Sequence, residues 1–97
     1  MRIDEAVSVS TTKSGEPIGF NWRGIAFLVR SRPTRWFARR EWWVEAARAH
    51  RGIGSGVVEV EMWRLQAGQE LNVEAKAEFE LIHSTEDGVW RLTRVWG

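Results

Sequence analysis

The stretch Leu71-Asn72-Val73-Glu74-Ala75-Lys76-Ala77-Glu78-Phe79-Glu80-Leu81-Ile82-His83 alternates apolar and polar residues almost without fault. Successive side chains of a β-strand point to opposite faces. Leu71, Val73, Ala75, Ala77, Phe79 and Leu81 therefore share one face, and Asn72, Glu74, Lys76, Glu78 and Glu80 share the other. That is the period of an antiparallel strand with one dry and one wet side. Working outward, Asp87-Gly88 is a hairpin signal. It predicts a partner strand over Val89 to Trp96. Upstream, Val57 to Ala67 reads as another strand, ending in the turn-like Gln66-Ala67-Gly68-Gln69.

The first half is built the same way. Arg2 to Thr12 reads as a strand with Ile3, Val7 and Val9 on one face, followed by the turn chemistry of Lys13-Ser14-Gly15-Glu16-Pro17. Ile18 to Trp22 and Ile25 to Ser31 flank Arg23-Gly24, a two-residue connection with glycine available for positive φ, which predicts a tight hairpin. Pro33 suits the first turn of a helix. Trp36, Arg40, Trp43 and Ala47 recur at helical spacing, so a turn or two of helix is expected near residues 33–41. Arg51-Gly52-Ile53-Gly54-Ser55-Gly56 reads as a loop. The expected fold is mostly β: a small antiparallel β-barrel or strongly curved sheet of about six strands with one short helix, forming a single domain over residues 1–97. Closure removes exposed strand edges.

Composition narrows the function classes. The chain has 97 residues, seven tryptophans and no cysteine. It is tryptophan-rich, and its 43% apolar content supports a core without disulfide, metal or cofactor. No run approaches a membrane span and the first residues form no signal peptide, so a cytoplasmic protein that avoids membranes is expected. The net charge of +1 conceals a segregation. Residues 23–51 carry eight arginines against Glu41 and Glu45, a balance of +6, while residues 52–88 carry a balance of −6. Such a basic block suits phosphate, an acidic partner, or the acidic block of its own chain.

Three times a tryptophan is followed at once by an arginine: Trp22-Arg23, Trp63-Arg64 and Trp90-Arg91. On strands, each pair sends a ring to one face and a charge to the other. The rings are read as core, with the arginines pairing across strands with Glu59, Glu61, Glu78 or Glu80. The alternative turns Arg23, Arg64, Arg91 and Arg94 toward phosphates. The stronger site candidate is the segment holding Arg30, Arg32, Arg35, Trp36, Arg39 and Arg40, followed by Trp42, where basic residues interleave with rings beside Pro33. Cationic grooves track a nucleic-acid backbone and exposed rings stack on bases. Arginine and tryptophan also anchor protein interfaces, and the bland version of the segment is a solvated basic face with Trp36 and Phe37 packed inward. Catalysis finds little support. His50 and His83 are far apart in sequence, no metal-ligand set is spaced for binding, and the paired glutamates have strand spacing.

In order along the chain, Pro17-x-x-Phe20-x-Trp22-Arg23-Gly24, Trp36, Trp42-Trp43, Trp63-Arg64 and Gly88-x-Trp90-x-Leu92-x-Arg94 resemble the pattern of an uncharacterised, mainly actinobacterial family. Its members look like short β-rich domains of unknown function, some encoded near translesion DNA polymerases. The chain departs from the pattern over Val44–Glu61, which is longer and richer in alanine and glycine. The resemblance implies a link to DNA repair or damage tolerance and carries over no site residues. The expectation is a non-catalytic binding module that contacts single-stranded DNA or another nucleic acid. The alternative is a protein–protein interaction module docking on an acidic surface of a polymerase or recombinase-like partner, or pairing with itself as a homodimer.

Overall fold

A computed structural model describes residues 2–41, 57–72, 76–84 and 88–96. They form seven antiparallel strands: β1 (Arg2–Thr11), β2 (Pro17–Trp22), β3 (Ile25–Val29), β4 (Thr34–Glu41), β5 (Val57–Gln69), β6 (Lys76–Ser84) and β7 (Trp90–Trp96). The sheet order is β3-β2-β1-β7-β6-β5-β4, and β3 also pairs with β5. Six strands therefore close into a barrel, and β4 lies outside it.

Local sequence explains the connections. Between β2 and β3, Arg23 has φ 54° and Gly24 has φ 79°, so both central residues are left-handed, as a primed hairpin turn requires. Between β6 and β7, Gly88 has φ 74°, and its N–H donates to the Ser84 carbonyl at 2.8 Å. Pairing of Gly19 with Leu28 brings strands so close that a Cβ on Gly19 would lie 3.0 Å from the Phe27 carbonyl oxygen.

The interior is filled by the inward residues of every barrel strand. Ile3, Phe20, Phe27, Trp63, Leu65, Ala67, Phe79, Leu81 and Leu92 form the buried cluster. Phe20, Phe27 and Phe79 are in mutual contact, with ring centroids 5.1–5.4 Å apart, and Trp22 closes over Phe27 and Phe79 at 6.0 and 6.3 Å. Such offset and edge-on contacts add to the area each ring buries. Val60, Met62 and Ile82 have the opposite parity and make a second, smaller cluster with Ala38 and Val89.

β5 organises the whole. One of its edges pairs with β6, from Val60↔Ser84 to Gly68↔Lys76. The other is shared: Val57 to Arg64 pair with β4, and Ala67 to Gln69 pair with β3. At the changeover the β3–β4 connector supplies the missing partners. The Arg30 N–H donates to the Gln66 carbonyl at 2.7 Å, and the Gln66 N–H donates to Ser31 Oγ at 2.9 Å.

Three expectations are corrected here. No helix stands near residues 33–41. Thr34–Glu41 is β4, because the β5 half that projects past the barrel seam offers a ladder for eight consecutive residues, which outweighs a weak helical spacing. Gln66–Gln69 does not turn but continues β5, since Ala67, Gly68 and Gln69 pair with β3 to close the barrel. Leu71, expected to face inward, is 97% exposed in the turn that follows. There the Asn72 N–H donates to the Gln69 carbonyl at 3.1 Å. Trp42 and the 44–56 segment lie outside the described residues. Among the described residues no helix is long and apolar enough to cross a membrane.

Candidate binding surface on the outer strand

The alternation of β4 decides what it presents. Its register with β5 sets Arg35 opposite Trp63, Phe37 opposite Glu61 and Arg39 opposite Glu59. These share one face, which continues the barrel interior outward past its mouth. Trp36, opposite Met62, and Ala38, opposite Val60, take the other face beside the second apolar cluster.

Phe37 is 55% exposed and Trp36 37%. The Arg35 guanidinium lies 5.5 Å from the Phe37 ring centroid and 5.4 Å from that of Trp63, within cation–π range of both. Its Nη1 is 3.5 Å from Glu61 Oε2, a long contact on a half-exposed arginine. Such a pair contributes little, since water screens it. Arg32 and Arg39 are exposed and have no ion pair among the described residues.

Behind Arg35 stands a polar knot at the barrel mouth. Glu61 Oε1 accepts from Trp63 Nε1 at 3.3 Å and lies 2.9 Å from His83 Nδ1. The imidazole stacks on Trp90, with centroids 4.2 Å apart and planes 11° from parallel. One carboxylate thus anchors groups from β4, β5 and β6, and fixes the wall that Arg35 leans on. Ser14 and Glu16 of the β1–β2 turn, with Pro33, Arg35 and Trp63, line an open cleft of about 360 Å³ beside it. No group of three or more metal-ligating side chains occurs among the described residues.

The arginines of the Trp-Arg pairs sit elsewhere, each beside an acid. Arg64 pairs with Glu78 at 2.6 Å and lies 4.2 Å from the Trp96 ring centroid. Arg91 reaches Asp4 Oδ1 at 2.6 Å and its carbonyl at 2.9 Å. Arg23 donates through Nε to Glu5 Oε1 at 3.1 Å, and Trp22 Nε1 donates to the same oxygen at 2.8 Å. Hydrogen bonds from Arg23, then Trp22, hold the Glu5 carboxyl below its ordinary value, while Arg23 is raised. Only Arg64 found its partner in the glutamate-rich later strands. The other two turn to the acids of β1, which the sequence offered no reason to prefer.

The basic segment is therefore dispersed. Arg30 donates to the Gln69 carbonyl at 3.1 Å, at the barrel seam. Arg32 precedes β4, Arg35 and Arg39 share a face, and the backbone of Arg40 pairs with Val58. Arg94 is exposed on β7 opposite Glu80. Glu61 and His83 were missed as a unit, because they are cross-strand neighbours 22 residues apart. Pairing the two alternating stretches in register was the only signal that could have joined them.

No curated protein and no solved structure matches the chain. A family model does match it, over residues 1–97. The chain belongs to the family described as Domain of unknown function (DUF6504).

Proposed function

We propose that this protein is a non-catalytic module that docks a protein partner on its outer strand. One observation carries the reading: among the described residues β4 is hydrogen-bonded along one edge only, and it presents the exposed Phe37 between Arg35 and Arg39. Native proteins usually cover or blunt such an edge. Aromatic and arginine side chains dominate the energetics of protein interfaces. The remaining cationic surface supports this choice, because Arg23, Arg64 and Arg91 are each matched by an acid and add no broad positive field.

The family resemblance makes a polymerase or recombinase-like protein of DNA damage tolerance the first partner to try. Immobilised protein should capture such a component after nuclease treatment, and Phe37→Ser should abolish the capture. Capture unaffected by Phe37→Ser and by Arg39→Glu would rule β4 out.

Arg35 and Arg39 flanking an exposed ring, with Arg32 upstream of β4, also suit a single-stranded nucleic acid, where bases stack on aromatics and cations follow the backbone. That second reading requires quenching of tryptophan emission by a thymidine oligomer at low ionic strength, with affinity falling as salt rises. An unchanged emission spectrum at micromolar protein would exclude it.

A further inference from the structure

Resting on the docking role of β4, we propose that the partner contributes an extended strand to the edge that no described strand pairs, carrying an apolar residue flanked two positions away on each side by acids. In an antiparallel ladder, alternate residues aim their N–H and C=O groups at a given neighbour. Half of the β4 backbone groups therefore point away from β5. An added strand pairs with these, and main-chain bonds of this kind supply affinity without regard to sequence.

The side chains supply selectivity. Residues directly opposite on paired strands share a face and lie close enough to interact. An added strand places one residue opposite Arg35, one opposite Phe37 and one opposite Arg39. On the β5 side these three already meet Trp63, Glu61 and Glu59. On the open side the matching set is acid, apolar residue, acid.

Edge charges often serve to prevent pairing. Here they flank a ring that is more than half exposed, so they admit an acidic strand and refuse a basic one. A second copy fits poorly. Antiparallel self-pairing centred on Phe37 would set Arg35 of each copy against Arg39 of the other, and like charges directly opposite are destabilising.

The test uses the full chain and a fluorescein-labelled synthetic peptide, threonine-rich, with valine flanked by glutamates at the stated spacing. Anisotropy should show saturable binding, lost when the glutamates become lysines and lost when alternate peptide nitrogens on one edge are methylated. Arg39→Glu should weaken binding about tenfold, and a peptide with lysine at the facing position should restore it. Rescue by the charge swap is decisive, because no general loss of folding produces it.

Equal binding of the glutamate and lysine peptides would overturn the proposal. So would concentration-dependent dimerisation abolished by Phe37→Lys, or exclusive binding of the thymidine oligomer. Capture of a damage-tolerance protein that depends on Phe37, with no peptide binding, would sink the strand-addition proposal. It would leave the docking role standing.

Discussion

Glu61 and His83 face each other directly across β5 and β6, and the carboxylate that meets the imidazole also accepts the indole N–H of Trp63. Removing it leaves a buried indole N–H and a partly buried imidazole without their acceptor. Glu61→Ala is expected to cost about 1–3 kcal/mol, the usual penalty for orphaned polar groups. Urea unfolding followed by tryptophan emission measures this directly. A loss below about 0.5 kcal/mol would mean that water replaces the carboxylate without cost.

Stability should also fall on the acid side through Glu5. Its carboxyl is held below the ordinary value, first by Arg23 and then by Trp22. A carboxyl depressed in the folded state contributes stability above its unfolded value and loses it as pH falls through the folded value. The wild-type denaturation midpoint should therefore drop from about pH 5 downward. Glu5→Gln should start lower at neutral pH and show a flatter acid slope. Parallel curves for the two proteins would refute the assignment.

Two glycines should fail for different reasons. Gly19→Ala brings a Cβ to 3.0 Å from the Phe27 carbonyl, a backbone atom that cannot swing aside, and is expected to cost about 1–3 kcal/mol. Around Gly24 there is open space but φ is +79°, so alanine there costs about 1–2 kcal/mol through backbone strain alone. Asparagine tolerates the left-handed region. It should recover part of the loss at Gly24 and none at Gly19, as thermal melts of the four variants would show.

Phe37 and Phe79 separate surface from core. Phe79 is 2% exposed and packs against Phe20, Phe27 and Trp22, so Phe79→Ala should cost about 3–5 kcal/mol. Phe37→Ser should leave stability within about 0.5 kcal/mol of wild type. A large loss at Phe37 would show that its ring holds β4 in place and is not available to a partner.

What the sequence made legible follows from where its signals were local. Ala77, Phe79 and Leu81 alternate with charged neighbours, and β6 buries two of the three and half-buries Ala77. Arg23-Gly24 announced a primed turn, and both residues adopt it. β4 was misread because Trp36 and Arg40 also fit a helical period, and the competing ladder came from residues 16 to 30 positions away. The Glu61–His83 contact was invisible for the same reason. Glu61 looked like one of a row of solvated acids until register placed it at the barrel mouth between an indole and an imidazole.

The sharing of one β5 edge between β3 and β4 has a consequence for how the molecule can change. Closure depends on Ala67, Gly68 and Gln69, whereas the outer strand rests on Val57 to Arg64. The enclosure and the attachment therefore draw on separate stretches of a common rail. Changes confined to the outward positions of residues 34–41 leave the ladder that shuts the barrel untouched. The architecture splits persistence from novelty along a single strand.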